Sequence, residues 1–343
     1  MTHLRSRLHL VLVLIAAALL PAGRARADAP SCSLDDPNGN PPGFYRTDTW
    51  KKGEVVLTFD DGPHPGHTPK VLDLLAKYHL TATFFVVGRN INAKSYPLIQ
   101  RMLAEGHSIG LHSYNHDVKM AVRKNGERSI EYIRGQNETT QILVDLALLA
   151  TSEADFDAMY TRVLGQKSGR WLDASSLRKD WRTFAERDAE LLKERGYADG
   201  ERPYAAAFTR PPAGTPYVGG SDATQKKNYA EALTRGGWLN VLWNGESGDT
   251  NPSKKHDFAY LTSNIRLYSR RGGVLLIHDY VRKDALATAL AAMVADDDIE
   301  VVPIERAVGE KFGCGSEAVL TALRGSPERP AVVASTSRAG GPS

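Results

Sequence analysis

Glu54-Val55-Val56-Leu57-Thr58-Phe59-Asp60-Asp61-Gly62-Pro63 is the stretch on which the rest of the chain is read. Residues 54–59 form an apolar, largely β-branched run with no polar alternation, as expected of a strand buried on both faces. The run stops at two carboxylates and a Gly-Pro turn signal. Thr68-Pro69 then offers an N-cap and an N1 proline for a helix reaching Tyr78, with Val71, Leu72, Leu74 and Leu75 inward. The same order of strand, polar cluster and helix recurs. Residues 82–87 read as a second strand, 95–105 as a helix closed by Gly106, and 108–111 as a third strand ending at His112. Further strands are expected at 205–209, 238–243, 273–277 and 299–302. Strands that alternate with helices pair in parallel, so the fold class is α/β: a single distorted (β/α) barrel, TIM-like, with about seven strands.

One interval departs from this order. Between His116 and Arg210 the sequence is mostly helical, with helices expected over 130–150, 152–164 and 175–195, an insertion at about 120–200. At the other end, residues 323–343 are rich in Gly, Pro, Ser and Ala and read as a flexible tail. Residues 1–27 read as a secretory signal: Arg5 and Arg7, an apolar run over 8–22, then Ala25-Arg26-Ala27 as cleavage site. The expectation is an exported protein, periplasmic or secreted, with no stable membrane span after cleavage. Residues 28–52 form a lead-in, and 53–322 the barrel.

The 343 residues are 42% hydrophobic and 24% charged, values that exclude wholesale disorder, a collagen-like repeat and a polytopic membrane protein. The formal charge of +3 becomes −1 once the signal and its four arginines are removed, so nothing points to nucleic acid as a partner. The two cysteines, Cys32 and Cys314, can pair in an oxidising compartment, closing a loop worth roughly 5 kcal/mol in the chain-entropy account. Two separate buried thiols are the alternative.

In a barrel of parallel strands, chemistry collects where strands end. Five of the expected strands lead into such groups: Asp60-Asp61, His112 with His116, Arg210, Asp249 beyond Trp243, and His278. His112 and His116 are four residues apart, a spacing that puts two imidazoles on one side of a helical turn. Together with a carboxylate from another strand end they suit a tetrahedral metal with one open position. Two adjacent carboxylates can then divide the work, one on the metal and one as base.

Thr58-Phe59-Asp60-Asp61-Gly62-Pro63, His112-Ser113-Tyr114-Asn115-His116, Arg210-Pro211-Pro212-Ala213-Gly214 and Leu276-Ile277-His278 resemble the ordered motifs of the polysaccharide deacetylase family, carbohydrate esterase family 4 with its NodB homology domain. The likeness runs from about Gly53 to Arg306, interrupted by the helical insertion. It implies a secreted, metal-dependent hydrolase that removes N-acetyl groups from a GlcNAc-containing polysaccharide such as peptidoglycan, chitin-like oligomers or poly-GlcNAc. An O-acetyl xylan esterase on the same site, or an inactive glycan-binding protein, are the other readings. By resemblance Asp60 is the general base and Asp61, His112 and His116 the ligands of one divalent metal, zinc first, with cobalt, manganese, nickel or iron as alternatives. Arg210 pairs with Asp60 and lowers its pKa, and His278, oriented by Asp249, is the general acid. The Ala213 N–H helps hold the oxyanion, and Trp243 with Leu276 walls the acetyl pocket. The family often has an aromatic at Ala213, Trp at Thr250 and Pro at Asp117. Trp171, Trp181 and Phe184 in the insertion are either the packing face of an added helical layer or the lining of a sugar-binding lid.

Overall fold

The computed structural model describes Cys32, Leu34 and residues 40–324 apart from Ser221. The signal expected at 1–27 and the tail expected beyond residue 324 lie outside the described residues. Among the described residues nine short strands form one sheet in which every pairing is parallel. They are β1 (Gly43–Phe44), β2 (Glu54–Asp60), β3 (Thr83–Val86), β4 (Ser108–Leu111), β5 (Phe208–Thr209), β6 (Leu239–Val241), β7 (Gly245–Glu246), β8 (Gly273–His278) and β9 (Glu300–Val301). From β2 the order runs through β3, β4 and β5 to β6 on one side and through β8 to β7 on the other. Only Leu242, Trp243 and Asn244 separate β6 from β7, so the sheet curls until its two ends belong to one stretch of chain. This is the expected distorted barrel. Asn244 holds the seam: its amide NH2 donates to Tyr45 O at 3.2 Å, and its side-chain oxygen accepts from Val274 N–H at 3.1 Å.

The lead-in is therefore more than a lead-in, because β1 joins β6 and buries Phe44 and Tyr45. Around the sheet lie α1 (Thr68–Lys77), α2 (Tyr96–Ala104), the insertion helices α3 (Glu127–Leu149), α4 (Glu153–Leu164), α5 (Ala174–Lys179) and α6 (Trp181–Glu194), then α7 (Ala223–Gly236), α8 (Phe258–Arg271), α9 (Lys283–Val294), α10 (Ile304–Phe312) and α11 (Ser316–Arg324). Among the described residues no helix is long and apolar enough to cross a membrane. The helix expected over 175–195 is two helices meeting at Asp180. The N-cap of α1 is His67, one residue before Thr68, whose hydroxyl instead donates to Asp279 at 2.7 Å and accepts from His64 N–H at 2.8 Å. Leu323 and Arg324, assigned to the tail, are the end of α11. Cys32 and Cys314 are disulfide-bonded across 282 residues of sequence.

The insertion is built into the core. Its 23-residue helix α3 packs against α2, α4, α5, α6 and α7, and its Ile130, Ile133, Leu143 and Leu146 share one apolar cluster with β2, β3 and β4. Trp181 and Phe184 are each 5% exposed, as a packing layer requires, whereas Trp171 is 68% exposed. At Gly135 a Cβ would lie 1.5 Å from the Leu177 carbonyl oxygen, so α3 and α5 touch backbone to backbone. Gly135→Ala should therefore force the helices apart and lower stability by about 1–3 kcal/mol or more, read as a lower urea midpoint. An unchanged midpoint would mean that the insertion is not packed this closely.

Candidate active site

Each sequence-predicted group sits where a parallel strand ends. Asp60 closes β2 and Asp61 follows it; His112 follows β4, Arg210 follows β5, Asp249 lies three residues past β7, and His278 closes β8. The fold brings together groups that are 218 residues apart at the extremes, from Asp60 to His278, which are register partners on neighbouring strands.

Ligand atoms of Asp61, His112 and His116 all lie within 4.8 Å of one another. Asp61 Oδ1 is 3.2 Å from His116 Nε2 and 3.6 Å from His112 Nε2. His112 Nδ1 is 2.7 Å from the Arg210 carbonyl oxygen, an acceptor only, so the ring proton sits on Nδ1 and the Nε2 lone pair faces Asp61. Burial of His112 pushes its pKa down to about 3, and it stays neutral as a metal ligand must. Asp61 Oδ1 is buried with no hydrogen-bond donor among the described residues. A buried carboxylate oxygen without a donor is costly unless a cation satisfies it, so these three side chains fit a divalent metal.

The two histidines do not ride on a helical turn as their spacing suggests. Residues 112–116 form an irregular loop in which Ser113 and His116 take left-handed backbone, φ 63° and 58°. Asp61 at φ 74° and Ala213 at φ 57° do the same. Of five described non-glycine residues with positive φ, these four lie in loops after β2, β4 and β5, so strain collects at the site. What holds the loop was invisible in the sequence. Gln136 of α3, fully buried, accepts from the N–H groups of Tyr114 at 2.8 Å and Asn115 at 3.2 Å. Its amide NH2 donates to Asn115 Oδ1 at 2.8 Å and to the Tyr132 hydroxyl at 2.9 Å. All four of its bonding positions are spent. Asp117, at the position where the resemblance expects proline, accepts from Tyr132 OH at 2.9 Å and so joins the same anchor.

Two carboxylates flank the cluster. Asp60 Oδ1 is 2.6 Å from Arg210 Nη1, with both side chains buried, and Asp60 Oδ2 is 3.6 Å from His112 Nε2. Burial raises the Asp60 pKa, and the pull of Arg210 and His278 downward only partly offsets it. The expected lowering by Arg210 is thus present but outweighed. Asp249 grips His278 twice, taking its backbone N–H at 2.8 Å and facing its Nδ1 at 2.8 Å. Burial works against charge on His278, but the Asp249 hydrogen bond and charge, with Asp60 and Asp61 behind them, push its pKa up to about 9. Tyr280, also missed in the sequence, stacks on the His278 ring at 5.0 Å and is 41% exposed. Trp243 and Leu276 are 7% and 6% exposed, and the Arg210 guanidinium lies 5.8 Å from the Trp243 ring centre. Ala213 is exposed in its loop.

Comparison with known proteins finds a likeness over part of the chain. Residues 47–144 match the polysaccharide deacetylase family. The matched segment bears out the resemblance read from the motifs and carries Asp60, Asp61, His112 and His116; Arg210, Asp249 and His278 lie beyond it. It is similar to a peptidoglycan-N-acetylglucosamine deacetylase of Bacillus cereus, 50% identical over 62 residues, 18% of this chain and 29% of that protein. It is also similar to a chitooligosaccharide deacetylase of Sinorhizobium fredii, 49% identical over 78 residues, 22% of this chain and 35% of that protein. The aligned stretch is thus about a third of each relative's length. A family 4 acetyl xylan esterase from Clostridium thermocellum superposes with a TM-score of 0.48 and 20% identity, covering 77% of this chain and 93% of the other.

The loop anchor generates a test. Gln136→Leu keeps the bulk and removes all four hydrogen bonds, so zinc affinity should fall about 10–100-fold, measured by competition with a chelator. Unchanged affinity with an intact thermal midpoint would show that the loop holds its histidines without Gln136.

Proposed function

We propose that the protein is a metal-dependent deacetylase of N-acetylated, GlcNAc-containing glycans of the peptidoglycan or chitooligosaccharide kind. The observation that carries this reading is three convergent metal donors at one end of the sheet, flanked by a buried Asp–Arg pair and a buried His–Asp pair. A divalent cation at Asp61, His112 and His116 supplies Lewis acidity to the amide carbonyl and lowers the pKa of water.

The chain's own groups account for the proton movements. Asp60, ionised beside Arg210 yet raised in pKa by burial, is a stronger base than an ordinary carboxylate and takes the proton of the attacking water. The water oxygen bonds to the carbonyl carbon, and the C–N bond breaks. His278 enters protonated and gives its proton to the departing amine nitrogen, while Asp249 fixes the ring and sustains the imidazolium. The products are acetate and a free glucosamine amine. Ala213 N–H and the Trp243–Leu276 wall are assigned to the oxyanion and the acetyl methyl. Zinc is the first choice of metal, and export to the periplasm or beyond follows from the 1–27 segment. The same groups serve an O-acetyl xylan esterase, for which the amine proton is not needed, and an inactive binder would not need the two flanking pairs.

The test is acetate release from peptidoglycan, chitooligomers and acetylxylan by protein loaded with one defined metal. Release from the N-acetylated glycans, abolished in Asp60→Asn with metal still bound, supports the reading; release from acetylxylan alone moves it to the esterase, and release from none leaves a binder. The rate should fall as pH rises through the His278 pKa, because the acid form is lost there. Asp249→Asn removes an upward pull on that pKa, so the alkaline limb should shift to lower pH. A limb that does not move would remove His278 as the acid.

A further inference from the structure

We propose that Trp171 and Arg89 form a stacking platform that binds a sugar ring of the glycan chain where it leaves the candidate active site. The inference rests on the glycan reading above and adds to it a subsite supplied by the insertion. Trp171 is 68% exposed, the most exposed of the large apolar side chains among the described residues. The Arg89 guanidinium lies 4.5 Å from its ring centre and covers one face; the ring's exposure leaves the other face to solvent.

The platform is held rigidly beside the chemistry. Leu172, next to Trp171, is buried, and its N–H donates to the Tyr114 hydroxyl at 3.2 Å. On the other side the Arg170 carbonyl accepts from Tyr160 OH at 3.3 Å and Gln166 Nε2 at 2.9 Å. Arg89 N–H donates to the Tyr114 carbonyl at 2.8 Å, within the loop that carries His112 and His116. The next residue, Asn90, donates from its amide NH2 to the Asp61 carbonyl at 2.8 Å. Arg89 therefore stands in the turn after β3, between the strand ends that carry Asp61 and His112, on the same end of the sheet. His116 and Asp61 have side chains 32% and 26% exposed, so this is also where the cluster opens to solvent.

The chemistry suits a pyranose. One face of the sugar presents C–H groups, which match the open face of the indole, while Arg89 behind the ring holds it in place. A ring fixed in advance loses little conformational freedom on binding. Trp171 is not part of the three-donor cluster, so the platform is assigned to a sugar further along the chain than the one being deacetylated.

Binding of chitohexaose and of diacetylchitobiose to the full chain, measured in the presence of a chelator so that no turnover occurs, tests this. Trp171→Ala should weaken hexamer binding by up to about tenfold and leave disaccharide binding and the thermal midpoint unchanged, with Trp171→Phe recovering part of the loss. Equal hexamer affinity in wild type and Trp171→Ala, or no hexamer binding by wild type, overturns the platform, whatever acetate release shows. A length-dependent loss in a protein that releases no acetate keeps the platform and sinks the deacetylase reading.

Discussion

Arg210 is the side chain on which the site depends. It is fully buried, and its guanidinium donates from Nη1 to Asp60 at 2.6 Å and to Thr58 at 2.9 Å, and from Nε to the Val241 carbonyl at 2.8 Å. The same residue's carbonyl fixes the His112 ring. One residue thus ties the ends of β2, β4, β5 and β6 together, with its cation resting 4.1 Å from the Phe85 ring centre. Burying this charge is tolerable only because Asp60 and the carbonyl groups surround it. Removing Arg210 alone would strand Asp60 at a cost of about 3–5 kcal/mol. Fold and chemistry are coupled here, since the pair that closes this end of the barrel also tempers the rise that burial gives the Asp60 pKa.

The insertion belongs to the same account. Its long helix is buried over most of its length, and it spends a glutamine on the loop between the two histidines, where two residues are held in left-handed backbone. Such strain persists only where the surroundings over-determine it. Gln136 and Asp117 supply that determination from behind, and Trp171 stands at the rim in front. The added helices are a supporting wall with one exposed corner at Trp171.

Much of this was legible in the chain. The run at 54–59 announces a strand buried on both faces, and the strands at 83–86 and 108–111 end where pattern and turn residues place them. The site residues were legible because parallel strands deliver their ends to one face, so a list of strand ends is a list of neighbours. What failed did so for physical reasons. The spacing of His112 and His116 equals a helical turn, yet the backbone at Ser113 and His116 is not helical, and no periodicity in five residues can reveal that. β1 and β7 have two residues each, too few to show any pattern. Gln136 is a polar residue in a helix with no clear polar face, and only its neighbours reveal its purpose. The direction of the Asp60 pKa followed from burial, which a motif does not carry.

The central claim is that Asp61, His112 and His116 share one divalent ion. X-ray absorption at the zinc edge, on protein loaded to saturation, tests it most directly. One equivalent of zinc is expected, with two imidazole nitrogens and carboxylate oxygen in the coordination shell, and loss of the bound metal in His112→Ala. Zinc held with no imidazole scattering, or held equally well by His112→Ala, would contradict it.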